Sequence, residues 1–98
     1  MSGESYQVFM APSALKRYKK FDTSLQQKIK EETENIAKNP HQSEELKGPL
    51  KGIRSHHFAH RKTQYRIAYQ IIEDKKRIEI VLVKSREGFY EILRRIAG

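Results

Sequence analysis

Between Ile53 and Val83 the chain carries strand-forming runs so close together that only hairpins can join them. The runs are Ile53 to Phe58, Tyr65 to Ile72 and Arg77 to Val83, all rich in β-branched and aromatic residues. The gaps, His60-Arg61-Lys62-Thr63-Gln64 and Glu73-Asp74-Lys75-Lys76, have the length of antiparallel connections, so the expected centre of the fold is a β-meander. A sheet must bury one face against another layer, and the upstream sequence supplies that layer.

Tyr6-Gln7-Val8-Phe9-Met10 reads as a short first strand ended by Pro12. Pro12 and Ser13 open a helix with Ala14, Leu15, Tyr18 and Phe21 on one face and Lys16, Arg17, Lys19 and Lys20 on the other. Asp22, Thr23 and Ser24 are all N-cap residue types, and Gln26 and Gln27 stand where capping-box partners of Thr23 and Ser24 belong. The second helix then carries Leu25, Ile29, Thr33, Ile36 and Ala37 on one stripe and stops at Asn39-Pro40, because a residue before proline is pushed out of the α region. His41 to Glu45 is expected as a loop. Leu46 to Gly52 reads as turns, with Lys47 and Lys51 available to grip a ligand's backbone. At the end, Phe89, Ile92, Leu93 and Ile96 follow helical spacing and predict a short helix packed back on the body. The expected class is α+β: an N-terminal strand and helix hairpin on an antiparallel meander with a short C-terminal helix, in one domain over 1–98.

Lys and Arg number 20 against 12 Asp and Glu, a formal charge of +8, which suits a polyanionic partner such as nucleic acid; a merely solvated basic surface is the plain alternative. With no cysteine, neither disulfides nor thiolate metal sites can support the fold. Met1 to Ser5 lacks the apolar run of a signal peptide, and no later segment approaches the roughly 20 apolar residues of a membrane span, so a soluble, cytoplasmic chain away from membranes is expected.

Alternation along the strands sorts the polar residues. Ile67, Tyr69 and Ile71 should meet the helices, leaving Arg66, Ala68 and Gln70 on an uncovered face. There Arg66 can offer a bidentate fork to phosphate, or pair with a neighbouring carboxylate as any surface arginine does. On the preceding run Arg54, His56 and Phe58 share one face and Ile53, Ser55 and His57 the other, so one histidine of the adjacent pair must reach the face of Arg66. Imidazole is suited to proton transfer near neutral pH. His60 is expected in the hairpin turn beside Arg61 and Lys62, where it and Arg61 can touch a ligand's backbone. A metal site from His56, His57 and His60 is not expected, since adjacent strand residues diverge. Tyr90 lies off the apolar stripe of the last helix, near Arg94, and can transfer a proton, stack on a base or simply pack.

Taken in order, Ala14 and Leu15, Asn39-Pro40, Leu46-Lys47-Gly48, Tyr65-Arg66-Ile67-Ala68-Tyr69-Gln70 and Ser85-Arg86-Glu87-Gly88-Phe89-Tyr90 resemble the RelE/ParE superfamily of type II toxin–antitoxin toxins over nearly the whole chain. The resemblance implies a RelE-like fold. For RelE-like members it also implies a toxin that enters the ribosomal A site and cuts mRNA by attack of the RNA's own 2′-hydroxyl, with no cofactor or metal. By resemblance, Arg66 and Arg86 match phosphate-stabilising arginines and Tyr90 a C-terminal tyrosine. Arg54 and His56 match basic strand residues, with a slip of one position exchanging His56 for His57. ParE-like members share the fold but poison DNA gyrase; Arg66, Arg86, Tyr90 and a strand histidine favour the nuclease. A third possibility is a basic protein that binds nucleic acid or the ribosome without altering it. The implied partners are the ribosome with its mRNA and a cognate antitoxin.

Overall fold

A single hydrogen bond decides where the longest helix begins: the Asp22 carboxylate accepts from the Leu25 N–H at 2.8 Å. Asp22 is therefore the cap of α2 (Thr23–Lys38), in place of Thr23 or Ser24 with a glutamine partner. Gln26 instead donates to the Tyr18 carbonyl at 2.9 Å, which ties α2 back to α1 (Pro12–Tyr18). All five residues of the expected stripe, Leu25, Ile29, Thr33, Ile36 and Ala37, are buried.

The computed structural model describes residues 6–97; residues 1–5, noted above for lacking an apolar run, and residue 98 lie outside them. Five strands form one sheet: β1 (Gln7–Met10), β2 (Glu44–Glu45), β3 (Ile53–His60), β4 (Thr63–Ile72) and β5 (Arg77–Ser85), in the order β1-β5-β4-β3-β2. The meander β3-β4-β5 is antiparallel as expected, while β1 runs parallel to β5. The segment expected as a loop contributes β2, a two-residue edge paired with Arg54 and Ser55.

One face of the sheet packs Ile67, Tyr69, Ile78, Ile80 and Val83 against α1 and α2. The other is not left bare. Ala68, Val81 and Leu82 lie beneath Phe89 and Leu93 of α3 (Phe89–Ala97), joined by Leu50 of a 3₁₀ turn (Gly48–Leu50) and Ile53. A β-bulge makes both faces possible. Ala68 pairs with Leu82 but Tyr69 with Ile80, so Val81 is an extra residue; Val81 and Leu82 then serve the α3 side while Ile80 and Val83 serve the helix hairpin. Two residues expected on apolar faces stay exposed. Leu15 is 38% exposed, because the short α1 buries Ala14 instead, and Ile96 is 40% exposed in the last turn of α3. Among the described residues no helix is long and apolar enough to cross a membrane.

The β3–β4 hairpin is tighter than the sequence predicts. His60 pairs with Thr63, and the two-residue turn is Arg61-Lys62 with φ of 51° and 69°. Such a turn needs positive φ at both positions and usually signals itself by Asn-Gly, which is absent here. The strands are consequently longer at this end, and this extension builds the site.

Candidate functional site: a cationic row across three strands

Strand register places His57 opposite Arg66, and Arg66 opposite Lys84. Directly paired residues of neighbouring strands share a face, so these side chains form one row across β3, β4 and β5. Just past the row, the Arg86 N–H donates to the Gln64 carbonyl at 2.9 Å, fixing the chain where it leaves β5. Lys84 donates through Nζ to the Glu87 carbonyl. Gly88 then turns the chain into α3 with φ +66°, a left-handed conformation that a side chain would strain. The result is an open depression of about 190 Å³ lined by His57, Gln64, Tyr65, Arg66 and Arg86.

The core holds this depression in shape. Phe89, 1% exposed, stands edge-on to Tyr90 with centroids 5.4 Å apart. Tyr90 in turn carries the Arg66 guanidinium, 5.4 Å from its ring centroid. Arg66 is thus oriented by a ring rather than by an acid. Its Nε is buried and has no hydrogen-bond partner among the described residues. Among the described residues, none of the ion pairs involves His57, Arg66, Lys84 or Arg86. A surface arginine neutralised by a carboxylate is the plain reading of Arg66, and this geometry argues against it.

The remaining candidates are placed elsewhere. His56 points to the helix-covered face, its Nε2 2.7 Å from Glu32 Oε1, and Lys28 lies 3.1 Å from the same carboxylate. Burial pushes the Glu32 carboxyl up, but hydrogen bonds from His56 and Lys28 outweigh it and leave the group below its ordinary value. Arg54, on that face too, donates to the Ser43 carbonyl at 2.6 Å and lies 3.8 Å from Glu45, so it pins the chain before β2 instead of facing the depression. His60, expected in the turn, ends β3 with Nε2 3.3 Å from Ser24 Oγ of α2. Arg61 is exposed at the hairpin tip, and Lys47 and Lys51 flank the 3₁₀ turn; none of the three lines the depression. Of the two histidines it is therefore His57 that joins Arg66, the one-position slip left open by the sequence.

Gln64, Tyr65 and Lys84 are site residues that sequence reasoning missed. The sequence pattern puts Gln64 in a longer turn and ends the last strand at Val83, whereas β4 starts at Thr63 and β5 runs to Ser85. The available signal was alternation: Lys84 stands two residues after Leu82, on the same face.

The fold is shared with bacterial RelE toxins. A free RelE of Escherichia coli carrying two arginine-to-alanine substitutions superposes with a TM-score of 0.74 at 22% identity, covering 95% of this chain and 99% of that one. The Mycobacterium tuberculosis RelBE2 toxin–antitoxin complex gives 0.72 at 23% identity over 87% and 95%. The YoeB–YefM toxin–antitoxin complex of Staphylococcus aureus gives 0.64 at 26% over 83% and 97%. In sequence, an Escherichia coli protein named as a RelE-like toxin is 31% identical over 83 residues, 84% of each chain. The family model of ParE-like toxins of type II bacterial toxin–antitoxin systems matches residues 8–94. The chain belongs to that family.

Proposed function

We propose that this toxin is a ribosome-dependent endoribonuclease that cuts mRNA and so inhibits translation. The observation that carries the reading is the row of His57, Arg66 and Lys84 with Arg86 beside it, cationic or titratable side chains that no carboxylate neutralises among the described residues. In the proposed reaction the 2′-oxygen of one nucleotide attacks the adjacent phosphorus as its proton is withdrawn. The phosphorane's added charge is taken up by Arg66 and Arg86, with Lys84 at the end of the row. The P–O5′ bond then breaks and the leaving oxygen receives a proton. His57 is the side chain of the site suited to proton transfer near neutral pH, and Tyr90 orients Arg66 and offers a ring to a base. The nucleophile is supplied by the RNA, so this route calls on no cofactor.

Among the described residues the depression is lined by one imidazole and no carboxylate, which is why the ribosome is assigned the task of presenting the strand. The solved relatives include toxin–antitoxin complexes, among them RelBE of Escherichia coli, and we extend to this chain a cognate antitoxin partner and a cytoplasmic place of action. The protein would act as a single domain, its charge of +8 suiting both ribosomal RNA and an acidic antitoxin segment.

The test is cleavage of a defined mRNA by purified protein with and without ribosomes, beside a gyrase supercoiling assay. Cleavage on programmed ribosomes alone supports the reading. Efficient cleavage of naked RNA removes the ribosome dependence, and gyrase inhibition with intact mRNA moves the protein to the alternative reading of a gyrase-poisoning toxin.

A further inference from the structure

Among the described residues two buried side-chain polar atoms have no hydrogen-bond partner, Ser55 Oγ and Arg66 Nε. Strand register makes their residues neighbours. Ser55 pairs with Ala68 and His57 with Arg66, so Ser55 and Arg66 lie diagonally across β3 and β4 on the α3 side of the sheet. A side chain as long as arginine spans that diagonal.

Packing gives no reason for a hydroxyl at this position. Ser55 is 6% exposed, with Ala68 opposite it and Ile53 two residues back, both in the apolar cluster that α3 covers. Alanine would fill the place without burying a polar group, and a buried hydroxyl that bonds to nothing works against folding. The same holds for the Nε–H of Arg66. Glu44, opposite Ser55 on β2, bonds to neither atom. One orphan can accept and the other can only donate, so a single water between them satisfies both and gains the two polar partners that a buried water needs.

We propose that Ser55 is a positioning residue for Arg66: its hydroxyl holds the Nε–H through one shared water, and the guanidinium turns its two Nη groups into the depression. The proposal rests on the endoribonuclease reading. Tyr90 does not do this alone. A ring centroid 5.4 Å from the guanidinium carbon attracts the charge without selecting one N–H, whereas a bond at Nε decides which edge is left for the phosphate. The edge left is the end-on fork of the two Nη groups.

The test uses the full chain and two readouts. The first is the Nε–H signal of Arg66 in heteronuclear NMR spectra, identified by its loss in Arg66→Lys. Its exchange with solvent should be faster in Ser55→Ala than in the parent by on the order of tenfold, the equivalent of one hydrogen bond to a charged group. The second is single-turnover cleavage of mRNA on ribosomes. Ser55→Ala should lower the rate at saturating ribosomes by about tenfold and leave the half-saturating ribosome concentration unchanged, because only the cation is misaligned. Ser55→Thr and Ser55→Val add similar bulk and differ in the hydroxyl; threonine should retain most of the rate and valine should match alanine. In an Arg66→Lys background, Ser55→Ala should lower the rate no further, since the Nε–H is already gone. Equal losses in the threonine and valine variants, or an undiminished effect of Ser55→Ala in the Arg66→Lys background, would make the serine merely structural and overturn the proposal. If the parent cuts mRNA but Ser55→Ala keeps both the exchange rate and the cleavage rate, the link is overturned while the nuclease stands. If the parent does not cut mRNA, the positioning role falls with the nuclease reading, and an exchange rate that still responds to Ser55→Ala shows that the reaction and not the contact was at fault.

Discussion

On the helix-covered face of the sheet His56 meets Glu32 at 2.7 Å, whereas His57, the next residue of the same strand, is exposed opposite Arg66. The first face satisfies its charges. Glu32 serves His56 and Lys28, and Arg54 is taken up by the Ser43 carbonyl and Glu45. The second face shields hydrophobic residues under α3 at one end and leaves an unneutralised cationic row at the other. Side-chain chemistry alone does not make a site; what separates these neighbours is whether the opposing layer brings a carboxylate. α2 brings one, and α3 brings Tyr90, a ring that orients a guanidinium without cancelling its charge.

The contrast fails most visibly if the row is idle. Arg66→Ala and Arg86→Ala should each lower ribosome-dependent mRNA cleavage by on the order of 10²-fold or more, the usual loss for a transition-state cation. Stability should move little: about 0.5 kcal/mol for the exposed Arg86, and about 0.5–1 kcal/mol for Arg66, which also gives up its stacking on Tyr90. Single-turnover cleavage beside denaturant unfolding measures both. Activity within a few-fold of the parent in both variants would put the phosphate site elsewhere.

The histidines test the contrast within one strand. His57→Gln should cost about 10²-fold in cleavage with an unchanged melting temperature. His56→Gln should do the opposite, keeping the rate while losing about 1 kcal/mol of stability with its bond to Glu32. Equal effects in the two variants would mean that the faces are not functionally distinct.

A smaller effect is expected at Tyr90. Tyr90→Phe keeps the ring under Arg66 and should retain most activity, while Tyr90→Ala should lose about tenfold by releasing the guanidinium and a stacking surface. A large loss in Tyr90→Phe would instead assign the hydroxyl to proton transfer.

The smallest effect concerns pH and the neutralised face. Glu32 is held below its ordinary value of 4.5, so its contribution to stability is complete above that pH and is lost as pH falls through the lower folded value. Thermal unfolding followed downward from neutral pH should show a shallower acid limb in Glu32→Gln than in the parent. Parallel acid limbs would remove the Glu32–His56 pair as a source of the contrast.

Much of this was legible in advance because it depends on local periodicity. The stripe from Leu25 to Ala37, the stop at Asn39-Pro40, the three strands and the division of Arg54, His56 and Phe58 from Ile53, Ser55 and His57 all follow from repeats of 3.6 and 2 residues. Arg66 and Tyr90 follow from the same repeats and Arg86 from the family resemblance, and the structure brings the three together; their chemistry is for the experiments above to decide. Elsewhere periodicity was silent. Nothing in Arg61-Lys62 announces a two-residue turn, and the missed strand ends hid Gln64 and Lys84.

By itself, then, the sequence determined the helices, the strands β1, β3, β4 and β5 and their order, since each is set by backbone geometry within a few residues, but not the two-residue β2, the extended strand ends or the bulge that puts Val81 and Leu82 on one side. Which face meets which layer was decided only in three dimensions. The bulge at Val81 turns a featureless apolar run into two opposed cores. The pairing of β3 with β4 selects His57 over His56, and the approach of α2 supplies the carboxylate that makes the other histidine structural. Register and layer packing join residues far apart in the chain, and a one-residue slip reverses every side chain, so no local pattern could have chosen between the two histidines.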